Sequence, residues 1–331
     1  MNKLINFFLF TITLIFSLII AELGLRFYLK FATIYGLEMH KYAKELKESS
    51  NIDGLTHQHR PSSEAVLMGV NIKINKFGIR DDFTPRTKNN NEYRILVLGN
   101  SITMGWGVPY DSVFTTTLEN YLNNNFKNLK YEVINSGIGN YNTLMESIYL
   151  KSILKDVDPD EIILHFYIND IESVPKQNNN FFIKHSYLFA YMYLNFKQSS
   201  ILNFSSFNST GKYYLDLYTK ENEDRTKAEN AILSINDLCI KKKIKFKIII
   251  QPDLHDLSYN SNQFKCHLII RNFLKKNNIN YIDLFDDFSI ILKNKPEEIW
   301  VHPNDPHPNS KGHKIISNKM INHYQNLTIF N

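Results

Sequence analysis

Cysteine is scarce in this 331-residue chain, which carries only Cys239 and Cys266. The pair allows one disulfide at most. Both residues fall on expected helices flanking one strand, so a bridge is conceivable but not required. No CxxC pair occurs, which excludes a structural zinc site built on thiolates. An arginine-rich stripe and any nucleic-acid-binding motif are also missing, despite a formal net charge of +5. The excess comes from scattered lysines such as Lys241, Lys242 and Lys243, a pattern that reads as solvated surface and not as a nucleic-acid footprint. No internal repeat is present. What remains is a globular composition, 43% hydrophobic and 21% charged, long enough for one large domain with an appendage.

Charge is absent again from Ile5 to Ala21 (INFFLFTITLIFSLIIA). Extended through Leu25, with Glu22 as its only charge, the run approaches the ~20 residues that cross a bilayer as a helix. Residues 1–29 are therefore expected to be a single-pass transmembrane anchor. The competing reading is a signal segment cleaved after Ala21, but the run is long for an h-region of ~7–15 residues. Lys3 on one side and Arg26 with Lys30 on the other leave orientation weakly determined. The large domain that follows favours an extracytoplasmic placement of the rest of the chain.

Residues 30–90 show little periodicity and many turn formers, as expected of a stalk or strap. From there strands alternate with helices. Tyr93–Leu98, Tyr131–Ile134, Glu161–Phe166, Lys245–Ile250 and Asn280–Leu284 read as strands. Helices are expected over 111–125 (capped by Asp111), 143–154, 223–241 and 263–275, with a last one from near Asn309. That alternation predicts an α/β three-layer sandwich around a parallel sheet of about five strands, spanning residues 91–325. The rhythm breaks at 172–222, an aromatic-rich stretch (HSYLFAYMYLNF, KYYLDLY) read as a helical insertion. Its aromatics suit packing, an acyl or sugar site, or a membrane surface.

In an open parallel sheet, ligands bind beyond the carboxyl ends of the strands. GNSITMG (99–105), NSGIGNYN (135–142), YIND (167–170) and NDPHPNSKGH (304–313) all fall at such ends. Each alone has a bland reading: Ser101 as a helix cap, Asn169-Asp170 as a turn, His307 as a loop residue. The histidines near Asp305 raise a metal site, but Pro306 and Pro308 prevent helical ligand spacing and few carboxylates remain to complete a shell. Neither a metal nor a cofactor is expected.

The ordered set GNS, N-x-G-x-G-N, ND and DPHPN-x-x-GH resembles the SGNH/GDSL hydrolase family, and NKFGIRDD (75–82) extends the likeness to about residues 70–323. The resemblance implies a flavodoxin-like fold and a serine nucleophile, Ser101. His307 would be its base and Asp305 the carboxylate that holds the imidazole. It also implies an oxyanion hole from the backbone N–H of Ser101, a backbone N–H at Asn140 (with Gly137 as the other register) and the side-chain amide of Asn169. The chain departs from the family at three points: Asn100 replaces the usual Asp, Asn140 a glycine, and Asn304 the Asp three residues before the histidine. The implied activity is hydrolysis of small acyl or lipid esters. The alternatives are acetyl transfer or deacetylation on cell-envelope polysaccharide, with an acylated glycan as partner, and a non-catalytic envelope binding module.

Overall fold

The computed structural model describes residues 2–174, 180–201, 207–220, 222–291 and 295–329. The chain divides into two compact units: Met1–Lys44 with Gln177–Phe204, and Glu45–Lys176 with Ser205–Asn331.

The larger unit is built on five parallel strands: β1 (Glu92–Gly99), β2 (Lys130–Asn135), β3 (Glu161–Phe166), β4 (Lys245–Ile250) and β5 (Tyr281–Asp283). Their order in the sheet is β2-β1-β3-β4-β5, which puts a topological switch point between β1 and β3. Side chains alternate across a strand, and here both faces are apolar. Leu96, Leu98, Ile162, Leu164, Ile248 and Ile250 pack on one side. Ile95, Val97, Ile163, Ile249 and Ile282 pack on the other. Burying each such side chain stabilises the fold by about 1.5–3 kcal/mol before entropy is counted. This two-sided burial is why the central strands carry consecutive apolar residues, ILVL in β1, IIL in β3 and III in β4, and not an alternating pattern.

Helices cover both faces. On the first lie α2 (Thr143–Val157), α3 (Glu223–Lys242) and α4 (Asn262–Lys276), through residues such as Leu150, Ile153, Ile232, Ile235 and Ile270. On the second lie α1 (Phe114–Asn125) and α5 (Ser310–Ile329), through Leu118, Leu122, Ile316 and Met320. The caps follow sequence: Asn142 Oδ1 accepts from Met145 N–H and Ser261 Oγ from Phe264 N–H. One expected cap is not formed. Asp111 lies in a 3-10 turn, Tyr110–Ser112, and α1 starts only at Phe114 without a side-chain cap. Cys239 and Cys266 are buried free thiols.

Much of the segment expected as a stalk is folded into this unit. Lys47–Glu48 pairs with Gln58–His59, and Glu64–Leu67 with Val70–Lys73. Leu46, Leu67, Ile72, Ile74 and Ile79 are buried. From the aromatic-rich stretch, the helix Phe207–Thr219 also belongs here, and Tyr218 donates to the carbonyl of Ile168 at 2.9 Å.

The smaller unit contains the helices Asn2–Tyr28, Tyr35–Glu45 (to Lys44), Phe181–His185 and Tyr187–Ile201. Lys3–Tyr28 is long and apolar enough to cross a membrane, and none of its most apolar window is buried within the protein.

Candidate active site

The first strand-end loop is held by glycine and asparagine. A Cβ at Gly99 would stand 2.0 Å from Thr103 Oγ1 and 2.8 Å from its Cβ, so glycine at the end of β1 leaves the room that Thr103 occupies. Asn100 Oδ1 accepts from Ile102 N–H at 2.9 Å and caps the short helix Ser101–Met104. Its amide donates to Asp170 Oδ1 at 2.7 Å and to Asn169 Oδ1 at 3.2 Å. Asn100 thus joins the loop after β1 to the loop after β3.

Arg80, from NKFGIRDD, is fully buried and donates to the carbonyls of Met104 (3.0 Å), Gly105 (2.6 Å) and Val108 (2.7 Å). It fixes the chain just after Ser101. Burial lowers this guanidinium to about 10, still charged at neutral pH.

The loop carrying His307 is extended, not helical. Asp305–Pro308 pairs antiparallel with Trp300–His302. Along an extended strand, residues i and i+2 share a face, so a carboxylate two residues before the histidine reaches the ring. His307 Nδ1 lies 2.5 Å from Asp305 Oδ1, and Ser101 Oγ lies 2.7 Å from His307 Nε2. An ionised carboxylate only accepts, so the imidazole proton sits on Nδ1 and Nε2 is free to accept from the serine hydroxyl.

Asp305 itself is fully buried, with Oδ1 also accepting from His307 N–H at 3.2 Å and Oδ2 from Trp106 Nε1 at 2.8 Å. Burial alone would raise this carboxyl. The hydrogen bond and charge of His307, with the Trp106 donor, outweigh burial and hold it below the usual carboxylate value.

The loop after β2 carries the two residues that competed for one register. A Cβ at Gly137 would meet Met104 N at 2.3 Å, so this glycine is needed for close packing against the turn that follows Ser101. Asn140 is exposed and left-handed, with φ 67°, a conformation glycine adopts most easily. Its Oδ1 accepts from the buried Lys47 ammonium at 2.7 Å. Burial pushes the Lys47 amine well below its ordinary value. Beneath it, His57 donates from Nε2 to the carbonyl of Gly139 at 2.9 Å and accepts at Nδ1 from Thr56 Oγ1. Burial, then the charge of Lys47, lowers His57 to about 3, which keeps the ring neutral.

In the loop after β3, Asp170 Oδ2 accepts from Tyr167 N–H at 2.7 Å. Because the Oδ1 of Asn169 faces Asn100, its amide nitrogen is the end left over, and it makes no hydrogen bond among the described residues.

The structure thus links Ser101, His307 and Asp305 in one hydrogen-bonded row and ties Asn169 to the residue beside Ser101. Asn140 has no hydrogen bond to these four among the described residues; it lies on the neighbouring strand end. Three buried residues were not foreseen: Trp106 and Arg80, which hold Asp305 and the chain after Ser101, and Lys47, which holds Asn140. For Trp106 and Arg80, the surrounding GNSITMGWG and NKFGIRDD offered a signal. Lys47 had none, being one of many scattered lysines.

No protein-family model matches the chain, and no curated protein matches it either. Among solved structures, similarity extends to a two-domain esterase active on acetylated mannans, crystallised with mannopentaose (15% identity, 71% of this chain and 49% of that one, TM-score 0.45). It extends also to an acetyl xylan esterase (19%, 69% and 97%, 0.44) and to an acetylxylan esterase from Geobacillus stearothermophilus (15%, 70% and 93%, 0.42). The chain spans about half the length of the mannan esterase.

Proposed function

We propose that this chain is an SGNH-type ester hydrolase that works through an acyl-enzyme on Ser101. The observation that carries the reading is the unbroken row from Ser101 Oγ to His307 Nε2 (2.7 Å) and from His307 Nδ1 to the buried Asp305 carboxylate (2.5 Å). A serine hydroxyl is a weak nucleophile, and an imidazole already accepting from it removes the proton during attack on the ester carbonyl. Asp305 stabilises the imidazolium and keeps the ring in the productive tautomer. The backbone N–H groups of Ser101 and Asn140 and the unengaged amide of Asn169 supply donors for the tetrahedral oxyanion. Protonated His307 then returns its proton to the leaving alcohol. Water, deprotonated in turn by His307, releases the acid and restores Ser101.

The substrate class in this reading is a small acyl or lipid ester, without metal or cofactor. Envelope-glycan deacetylation uses the same steps, and acetyl transfer differs only in that a sugar hydroxyl replaces water. A non-catalytic binding module would not require a hydroxyl, imidazole and carboxylate in register. The apolar helix Lys3–Tyr28 supports a single-pass anchor, and in this reading the larger unit lies outside the cytoplasm.

The test is p-nitrophenyl acetate turnover by the full chain in detergent, beside Ser101→Ala. Turnover should fall to the buffer rate in the variant; equal rates would remove the catalytic reading. Acetylated product formed on adding an oligosaccharide acceptor would identify transfer. An N-terminus beginning at Glu22 in protein from cells would replace the anchor by a cleaved signal segment.

A further inference from the structure

A charged residue within the apolar leading helix is fully engaged by the smaller unit's own chain. The carboxylate of Glu22 accepts from Ser186 Oγ (2.8 Å), Leu188 N–H (2.8 Å), Tyr187 N–H (3.1 Å) and Arg26 Nε (2.6 Å). It therefore caps the N-terminus of the helix Tyr187–Ile201, whose first amides have no intrahelical acceptor. Arg26 completes the joint, donating to the carbonyl of His185 at 3.2 Å and lying 4.9 Å from the centre of the Tyr187 ring. These contacts fix the helices Phe181–His185 and Tyr187–Ile201 to the C-terminal part of the leading helix.

The level of that joint is set by helix geometry. At a rise of about 1.5 Å per residue, Glu22 lies about 28 Å along the helix from Lys3. The hydrocarbon core is about 30 Å thick. With Lys3 at one surface, Glu22 comes to the opposite boundary, where a carboxylate and a guanidinium are tolerated.

Large apolar side chains are exposed around this joint. Phe27, Phe31, Phe181, Phe182, Met192 and Phe196 all face outward, Phe31 at 77% and Phe196 at 73% exposure. Exposed aromatic and apolar groups on helices whose facing ends are joined at this level fit shallow insertion at a bilayer boundary. We infer that the segment 181–196 is a second, interfacial membrane contact, an aromatic foot seated in the headgroup and upper acyl region of the bilayer that holds the leading helix. The inference rests on the reading of that helix as a retained anchor. The occupant it commits to is lipid, continuous with the lipid around Lys3–Tyr28.

Environment-sensitive fluorophores on single introduced cysteines test it in the full chain, reconstituted in phosphatidylcholine–phosphatidylglycerol vesicles. The native Cys239 and Cys266 are buried. Labels go on Met192→Cys, on Ile15→Cys in mid-anchor, and on Lys151→Cys on an exposed face of the larger unit. The Met192 label should emit blue-shifted from the Lys151 label and be quenched more by nitroxide lipids labelled near the headgroup than near the chain end. The Ile15 label should show the reverse depth preference. Adding Phe182→Glu and Phe196→Glu should return the Met192 label, and not the Ile15 label, to aqueous emission. A Met192 label matching Lys151 while Ile15 is deeply quenched overturns the foot and leaves the anchor standing. An aqueous Ile15 label overturns the anchor and the foot with it.

Discussion

Asp305 and His307 share one face of an extended strand, two residues apart, and the carboxylate meets the ring nitrogen Nδ1 at 2.5 Å. A helical or turn geometry would have required a different spacing. Pro306 and Pro308 hold the segment extended by fixing their own φ and restricting the residue before each.

Asp305→Asn should therefore cost about 10³–10⁴ in kcat, because the asparagine amide favours the wrong imidazole tautomer. Adding Asn304→Asp should not restore activity, since residue 304 lies in the turn before the strand. Steady-state ester kinetics check both. Recovery by the double variant would sink the strand argument.

Trp106 donates to the outer oxygen of the same carboxylate. Trp106→Phe keeps an aromatic ring, though a smaller one, and removes that donor, worth about 1.5–3 kcal/mol when the acceptor is charged. At about 1.4 kcal/mol per tenfold, kcat should fall by about tenfold or more if the loss appears in the transition state. Circular dichroism should be unchanged. Full activity in this variant would mean that Trp106 only fills space.

Lys47 holds Asn140, the residue proposed to present a backbone donor to the oxyanion. Lys47→Met should lower kcat with little change in KM; removal of a whole donor costs ~10²–10³, which is the ceiling for this displacement. Replacing the buried amine by an apolar side chain removes its desolvation cost, and the exposed Asn140 can turn to water, so the melting temperature should hold or rise. A variant that keeps kcat would separate Lys47 from the site.

The carboxyls of Glu146 and Asp170 lie buried near one another, and burial first, then for Glu146 the charge of Asp170, pushes both up. Both oxygens of Glu146 lack a hydrogen-bond partner among the described residues. A raised folded-state value favours the protonated form, so this pair's stabilisation is full below the ordinary carboxylate range and declines as pH rises through neutrality. Glu146→Gln removes one titration. Its melting temperature relative to the parent should climb between about pH 5 and about pH 8; a difference independent of pH would contradict the burial argument. His57 and His313 act in the opposite sense. Burial holds each at about 3, so their stabilisation is present above 6.5 and is lost as pH falls from 6.5 toward about 3. Both proteins share that loss, and it cancels in the comparison.

The strands were legible because the apolar runs ILVL, IIL and III within them are buried on both faces, with the charged residues Arg94, Glu161, Lys245 and Lys247 toward their starts. Only β5, a short edge strand, came out longer from sequence than it is. The start of α1 was misread because Asp111 resembles a cap while Pro109 and the 3-10 turn delay the helix. Residues 45–90 hid their folded state for a different reason. Their strands have two to four residues, too few to establish a period. The reach of Asp305 depended on local backbone form, and the contacts of Arg80 and Lys47 join residues 24 to 93 positions apart. Such pairings leave no periodic trace in a single sequence.

Rapid mixing with p-nitrophenyl acetate, followed by acid quench and peptide mass mapping, tests the central claim most directly. An acyl-enzyme mechanism predicts a nitrophenol burst of about one equivalent per chain, an acetyl group on the peptide containing Ser101, and loss of both in Ser101→Ala. Ester cleavage that persists in that variant, with no acetyl on Ser101 in the parent, would contradict it.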